Sequence, residues 1–140
     1  MRIEEELEGV RQVIKRLKER DDDIPIIVEG SKDKKALKFL GIKEPIIRIK
    51  KGDTIFHIIE RMRGKYDEVI VLTDWDRTGG RLAHRIKKAC MANAITCNEE
   101  HRLELIKHLK KEIKDVESLP IFIERAKMVI NERWRGKSKS

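Results

Sequence analysis

Three acidic residues stand where apolar runs end. Glu29 follows Ile26-Ile27-Val28, and Asp74 and Asp76 follow Val69-Ile70-Val71-Leu72-Thr73. If the two runs are neighbouring strands of an open parallel sheet, their carboxyl ends open on the crevice where such sheets bind ligands. Three carboxylates in one place repel one another unless one is protonated or a cation lies between them. Mg2+ suits such a place, because it takes oxygen ligands, needs few carboxylates and keeps waters that phosphate oxygens can replace. In a fully extended strand, residues two apart point the same way, which would turn Asp74 and Asp76 toward one ion. Gly79 and Gly80 permit a tight turn and the approach of a phosphate to N–H groups at a helix start. An isolated Asp-x-Asp is usually a solvated loop, and an isolated Glu-Gly is usually a turn. The information lies in their combination, about 45 residues apart, with each closing an apolar run.

Periodicity predicts the elements that would carry these residues. Ile3, Leu7, Val10, Ile14 and Leu17 recur at helical spacing and predict an amphipathic helix ending at Asp21-Asp22-Asp23. Ile24–Val28 is a strand with Pro25 at its start. A helix is expected over Asp33–Leu40, stopped by Gly41, then a strand over Pro45–Ile49. Asp53 is the expected N-cap of a helix buried through Ile55, Ile58, Ile59 and Met62 and ended by Gly64. Glu68–Thr73 is the clearest strand, Gly79–Asn93 the next helix and Ala94–Cys97 a short fourth strand. Beyond Glu99 the pattern is helical, with Leu103, Ile106, Leu109 and Ile113 on one expected face. A last helix starts at Ser118-Leu119-Pro120 and runs to about Trp134. Strands alternating with helices indicate an α/β fold with a small parallel sheet of about four strands flanked by helices. The expected organisation is a helix over 1–21, the α/β domain over 22–98, a helical extension over 99–134 and a disordered basic tail over 135–140.

The 140 residues suit one domain. Charged residues make up 41% of the chain against about 25% on average, and the formal net charge is +8. Such an excess favours a polyanionic partner, since each neutralised phosphate releases counterions. Its distribution is informative. Arg77, Arg81, Arg85 and Lys88 share one helical face, opposite Leu82, Ile86, Ala89 and Cys90, and no acidic residue occurs between Asp76 and Glu99. Solvated faces usually mix signs as i,i+4 pairs, and this one does not. Cys90 and Cys97 are too few for a zinc set and are expected to be reduced. His57, His84, His101 and His108 have no metal-like spacing. No run approaches the roughly 20 apolar residues of a membrane span, and the acidic start lacks a signal core, so a cytoplasmic protein is expected. Abundant Ile, many charges of both signs and a single Gln are thermophile-like.

Ile26-Ile27-Val28-Glu29-Gly30-Ser31-Lys32-Asp33 resembles the first motif of the Toprim family, and Leu72-Thr73-Asp74-Trp75-Asp76-Arg77-Thr78-Gly79 resembles the second. The match spans roughly residues 22–98, and the whole chain is similar to small stand-alone archaeal Toprim proteins. The family includes bacterial-type primases, topoisomerases, recombination proteins and the ribonuclease that matures 5S ribosomal RNA. The resemblance implies a Rossmann-like fold, Mg2+ as cofactor and a nucleic-acid partner, RNA or DNA. It implies Glu29 as metal ligand or general acid/base, Asp74 and Asp76 as the Mg2+-binding pair, and Asp33 as a further acidic position. Ser31 departs from the Lys of many members, leaving Lys32 one place later as the nearby phosphate contact. Trp75 replaces a smaller residue or Pro and is open to two readings, a stacking platform or packing beside the site. Lys114-Asp115-Val116-Glu117 faintly resembles the Gly-Val-Glu element that follows the Toprim core of the 5S-maturing ribonuclease.

Three function classes follow. In the first, a metal-dependent nuclease acting on structured RNA, Glu29 is catalytic, Glu29, Asp74 and Asp76 hold metal, and Lys32, Arg77, Arg81, Arg85 and Lys88 contact phosphates. The second is a Mg2+-assisted nucleic-acid adaptor without turnover. The third is a primase- or topoisomerase-like component, which would need a partner: the one tyrosine is Tyr66, and neither a zinc module nor an extra catalytic subdomain is evident. A protein partner in a nucleic-acid-processing complex is compatible with each.

Overall fold

The computed structural model describes residues 1–49 and 54–138, with the side chains of 137 and 138 excepted. Among the described residues there are six helices and four strands, alternating as far as α5: α1 (Ile3–Glu19), β1 (Ile26–Val28), α2 (Ser31–Phe39), β2 (Ile46–Arg48), α3 (Ile55–Met62), β3 (Glu68–Val71), α4 (Arg77–Ala92), β4 (Thr96–Asn98), α5 (Glu100–Leu109) and α6 (Leu119–Ser138). The sheet order is β2-β1-β3-β4, and every pairing is parallel. β1 and β3 pair with Ile26 opposite Ile70 and Ile27 opposite Val71. From β1 the chain goes out to β2 on one side, and from β3 to β4 on the other. The β1/β3 boundary is therefore the topological switch point of the sheet, where a crevice opens.

Alternation along the central strands builds two cores. Ile26 and Val28 of β1, with Ile70 and Leu72, face a cluster filled by Leu7, Val10, Val13 and Leu17 of α1, Leu37 of α2, Leu105 of α5 and Phe122 of α6. Ile27, Val69 and Val71 face the other side, against Ile55, Ile58 and Ile59 of α3 and Ala83, Ile86 and Cys90 of α4. Both faces of the sheet are covered, which explains the unbroken apolar runs of β1 and β3. Glu4, Glu5 and Glu6 in the first turn of α1, with Arg16 and Lys18 in its last, complement the helix dipole.

The expected elements are all present, with differences at their ends. α4 begins two residues earlier than Gly79, because the Asp76 carboxylate caps it. Asp53, the expected cap of α3, lies outside the described residues. The cap observed is Thr54, whose Oγ1 accepts from the His57 N–H at 3.3 Å. Gly41 and Gly64 end their helices at φ +88° and +83°. The expected face of α5 is corrected. Leu103 is 56% exposed, while His101, Arg102, Leu105 and Leu109 are buried, and the helix stops at Leu109 before Ile113. Leu103, Ile106 and Leu109 form an apolar i, i+3 row, whereas the buried face of the helix also holds the polar His101 and Arg102. α6 runs to Ser138, past the expected end near Trp134, so the expected disordered tail starts as helix; residues 139 and 140 lie outside the described residues. Among the described residues no helix is long and apolar enough to cross a membrane.

Candidate metal and phosphate site

β1 delivers Glu29 and β3 delivers Asp74 to the same edge. The Asp74 N–H donates to Glu29 Oε1 at 3.2 Å, bridging residues 45 apart in sequence. Asp76 lies two residues on and serves as the N-cap of α4, its Oδ1 accepting from the Gly79 N–H at 2.7 Å. Asp33, 6% exposed at the start of α2, accepts from the Gly30 N–H and from the Glu117 N–H, each at 3.1 Å.

The expectation that Asp74 and Asp76 point the same way from an extended strand is not met. β3 ends at Val71 and the chain turns at Trp75 and Asp76. Asp74 Oδ1 accepts from the Val116 N–H at 3.0 Å, whereas Asp76 Oδ1 goes to Gly79. Among the described residues no three His, Cys, Asp or Glu side chains are grouped so as to hold a metal ion between them. Glu29 is instead the shared neighbour of the pair, bonded to Asp74 and repelled by Asp76.

The electrostatics show what this costs. Burial is the largest cause pushing the Asp74 carboxyl up to about 7; repulsion from Asp33, Glu29 and Asp115 adds to it, against the Val116 hydrogen bond. Glu29 is raised by burial first and by Asp76 and Asp33, and Asp33 by burial first and by Glu117 and Asp115. The donor set fits Mg2+: it is all oxygen, and Mg2+ usually takes one or two carboxylates and completes its shell with water, so a closed three-carboxylate cage is not required. Because the folded pKa of Asp74 lies above its unfolded value near 4, its protonation favours the fold. That contribution is complete below pH 4 and is lost as pH rises through 7. Metal-free protein should therefore lose thermal stability between about pH 4 and 7, by a few kcal/mol at most, or several degrees of Tm. Added Mg2+ should flatten that slope. Thermal melts across the range, in chelator and in Mg2+, check this.

Other residues hold the edge in shape. Arg102, 7% exposed on α5, donates from Nε to the Thr73 carbonyl at 3.1 Å and from its terminal nitrogen to the Asp74 carbonyl at 2.9 Å. Thr73 Oγ1 donates to the Gly79 carbonyl at 2.8 Å. The segment before α6 closes the other side: the Trp75 N–H donates to the Lys114 carbonyl at 2.9 Å, and Trp75 Nε1 donates to the Ile113 carbonyl. Trp75 is thus tied by its indole N–H and packs on the larger core, the second of its two readings. Removing Arg102 leaves two carbonyls without their charged donor. Arg102→Ala should cost about 3 kcal/mol, and Arg102→Lys should recover only part, since an ammonium cannot reproduce the fork. Chemical denaturation measures both.

Lys32 is exposed at the start of α2, and Arg77, Arg81, Arg85 and Lys88 are exposed along α4 opposite buried Ala83, Ile86 and Ala89. The stripe starts at the residue after Asp76. His84 is exposed, Cys90 is buried and Cys97 half-buried, and both cysteines are free thiols. Sequence reasoning brought Glu29, Asp74, Asp76 and the stripe to this edge. It missed Arg102, which looks like any charged residue of a polar helix, and the part played by residues 113–117, of which only the faint Lys114–Glu117 likeness gave a sign.

Comparison with known proteins bears on the family and the fold. The Toprim domain model matches residues 24–108. A UPF0292 protein of Methanocaldococcus jannaschii is 37% identical over 119 residues, covering 85% of this chain and 93% of that protein. A UPF0292 protein of Methanosarcina barkeri is 36% identical over 103 residues, covering 74% and 71%. A solved structure of a protein from Aquifex aeolicus superimposes with a TM-score of 0.67 at 30% identity, covering 78% of this chain and 96% of that one.

Proposed function

Since the chain belongs to the Toprim domain family, whose members bind divalent metal and work on nucleic acid, we propose that it is a Mg2+-dependent nuclease acting on structured RNA. The observation that carries this is the meeting of Glu29 with Asp74 at the switch point of the sheet, beside the first residues of the basic face of α4. Mg2+ bound there supplies Lewis-acid polarisation of a scissile phosphate. Glu29, Asp74 and Asp76 would be the oxygen donors that hold it. Glu29, its carboxyl raised by burial, is the group placed to take a proton from the attacking water. Lys32 and Arg77, exposed at the starts of α2 and α4, offset charge that develops on the phosphate. Arg81, Arg85 and Lys88 hold the strand as it leaves the edge.

A second reading, a Mg2+-assisted adaptor without turnover, is favoured by one observation: Asp76 is committed as a helix cap and so is less free to complete a catalytic shell. Incubating labelled structured RNA, single-stranded DNA and duplex DNA with and without Mg2+ separates the two. The nuclease reading expects Mg2+-dependent cleavage that falls at least 100-fold in Glu29→Gln and Asp74→Asn. Cleavage unchanged in both variants contradicts the site, and tight Mg2+-dependent binding without cleavage favours the adaptor. The stripe has its own test. Binding should weaken steeply with salt, and each change of Arg81, Arg85 or Lys88 to Glu should lower the log–log salt slope by about one. Anisotropy titrations over a salt series read this; a slope unaffected by all three changes contradicts it.

A further inference from the structure

A groove of about 260 Å3 lies between the start of α3 and the middle of α4, lined by Thr54, Ile55, Phe56, Arg85, Lys88 and Ala89. Its floor is apolar, since Ile55 and Ala89 are 5% and 4% exposed. Phe56 is 51% exposed, although Ile55, Ile58, Ile59 and Met62 of the same helix are buried. Arg85 and Lys88 are both exposed, and among the described residues no acidic side chain lines the groove. Glu60, the acidic residue of α3, lines a separate hollow with His57 and Arg61.

A scattered exposed Phe needs no explanation. This one shares an apolar-floored groove with two cations. A purely apolar ligand has no use for the cations, and a simple anion has no use for the ring. A nucleotide uses both, its base offering a π-face and its phosphates the charge. We propose that this groove is a base-stacking subsite for single-stranded nucleic acid, with a base against Phe56 and the flanking phosphates on Arg85 and Lys88. Thr54 adds a polar group: its Oγ1 accepts the His57 N–H, and a hydroxyl can also donate to a base or a phosphate.

The subsite rests on the nucleic-acid reading above and sharpens it, because a base inside a duplex has both faces stacked and cannot use Phe56. The substrate must then present an unpaired nucleotide. Arg85 is two turns along α4 from Arg77, roughly 12 Å at the helical rise. At about 3.4 Å per nucleotide of a stacked strand, the unpaired residue lies roughly three or four nucleotides from the carboxylate edge.

The test uses the full chain in chelator, so that binding is read without the metal site. A fluorescent short oligouridylate and an RNA duplex of the same length are titrated against wild type, Phe56→Ala and Phe56→Trp, with circular dichroism to check each fold. The single strand should bind wild type more tightly than the duplex does. Phe56→Ala should weaken the single strand about tenfold, Phe56→Trp should retain wild-type affinity, and duplex binding should not change among the three. Phe56→Ala binding the single strand as wild type does, or losing both ligands equally, overturns the subsite while leaving the nuclease reading intact. Phe56-dependent binding with no Mg2+-dependent cleavage of any RNA upholds the subsite and overturns the nuclease reading. Wild-type protein that binds neither oligonucleotide overturns the subsite, while the Mg2+-dependent nuclease reading stands or falls on its own cleavage test.

Discussion

Asp74→Asn is expected to make the metal-free protein more stable at pH 8 while abolishing its response to Mg2+. The two effects have one cause. Asp74 is the carboxyl most strongly raised, to about 7, by burial and by Asp33, Glu29 and Asp115. At pH 8 without metal it is ionised in surroundings that disfavour the charge. Asn keeps the shape and an oxygen to accept the Val116 N–H, so the link to the segment before α6 survives. The charge goes, and with it a cost of order a few kcal/mol at pH 8 that is absent below about pH 4, where the wild-type group is protonated. Tm should therefore rise in Asp74→Asn by several degrees at pH 8 and by little at pH 4, and Mg2+ should shift wild type but not the variant. Replacing a surface carboxylate would show neither the pH dependence nor the lost Mg2+ shift.

The second large effect concerns a glycine. A Cβ on Gly79 would overlap the Asp74 carbonyl and come within 2.9 Å of Glu29 Oε1. The requirement is steric: the first turn of α4 lies against the backbone that carries the site. Gly79→Ala must push apart the turn that Asp76 caps and the Thr73 hydroxyl ties, at a cost of about 3 kcal/mol or more. The adjacent glycine is the control. A Cβ on Gly80 meets only an Arg102 guanidinium nitrogen at 3.9 Å, an ordinary contact. Gly80→Ala should be neutral or stabilising by up to about 1 kcal/mol, since Ala is the better helix former. Denaturation of the two variants side by side separates close approach from helix propensity.

What the sequence made legible was what periodicity and strand ends encode. The runs Ile26–Val28 and Val69–Leu72, covered on both faces, announced central strands, and the carboxylates closing them announced the edge. That β1 and β3 are neighbours is a condition of the sequence reading, and the pairing of Ile26 with Ile70 meets it. Side-chain direction was less legible. Asp74 and Asp76 are expected to point the same way from an extended strand, but the chain leaves the strand at Val71, and helix capping claims Asp76. The face of α5 was misplaced for a related reason: Arg102 is buried because two backbone carbonyls of the site receive it, and hydropathy counts it as solvent-facing. The hydrogen bonds from Val116 to Asp74 and from Glu117 to Asp33 join positions 42 and 84 residues apart, and no local pattern records such contacts.

Binding of Mn2+ to metal-free protein at pH 8, followed by electron paramagnetic resonance and competed with Mg2+, tests the divalent site at the β1/β3 edge most directly. The structure predicts saturable binding that Mg2+ displaces and that Glu29→Gln and Asp74→Asn each weaken strongly, with both variants folded. Binding retained undiminished in both variants, or none in wild type, would contradict it.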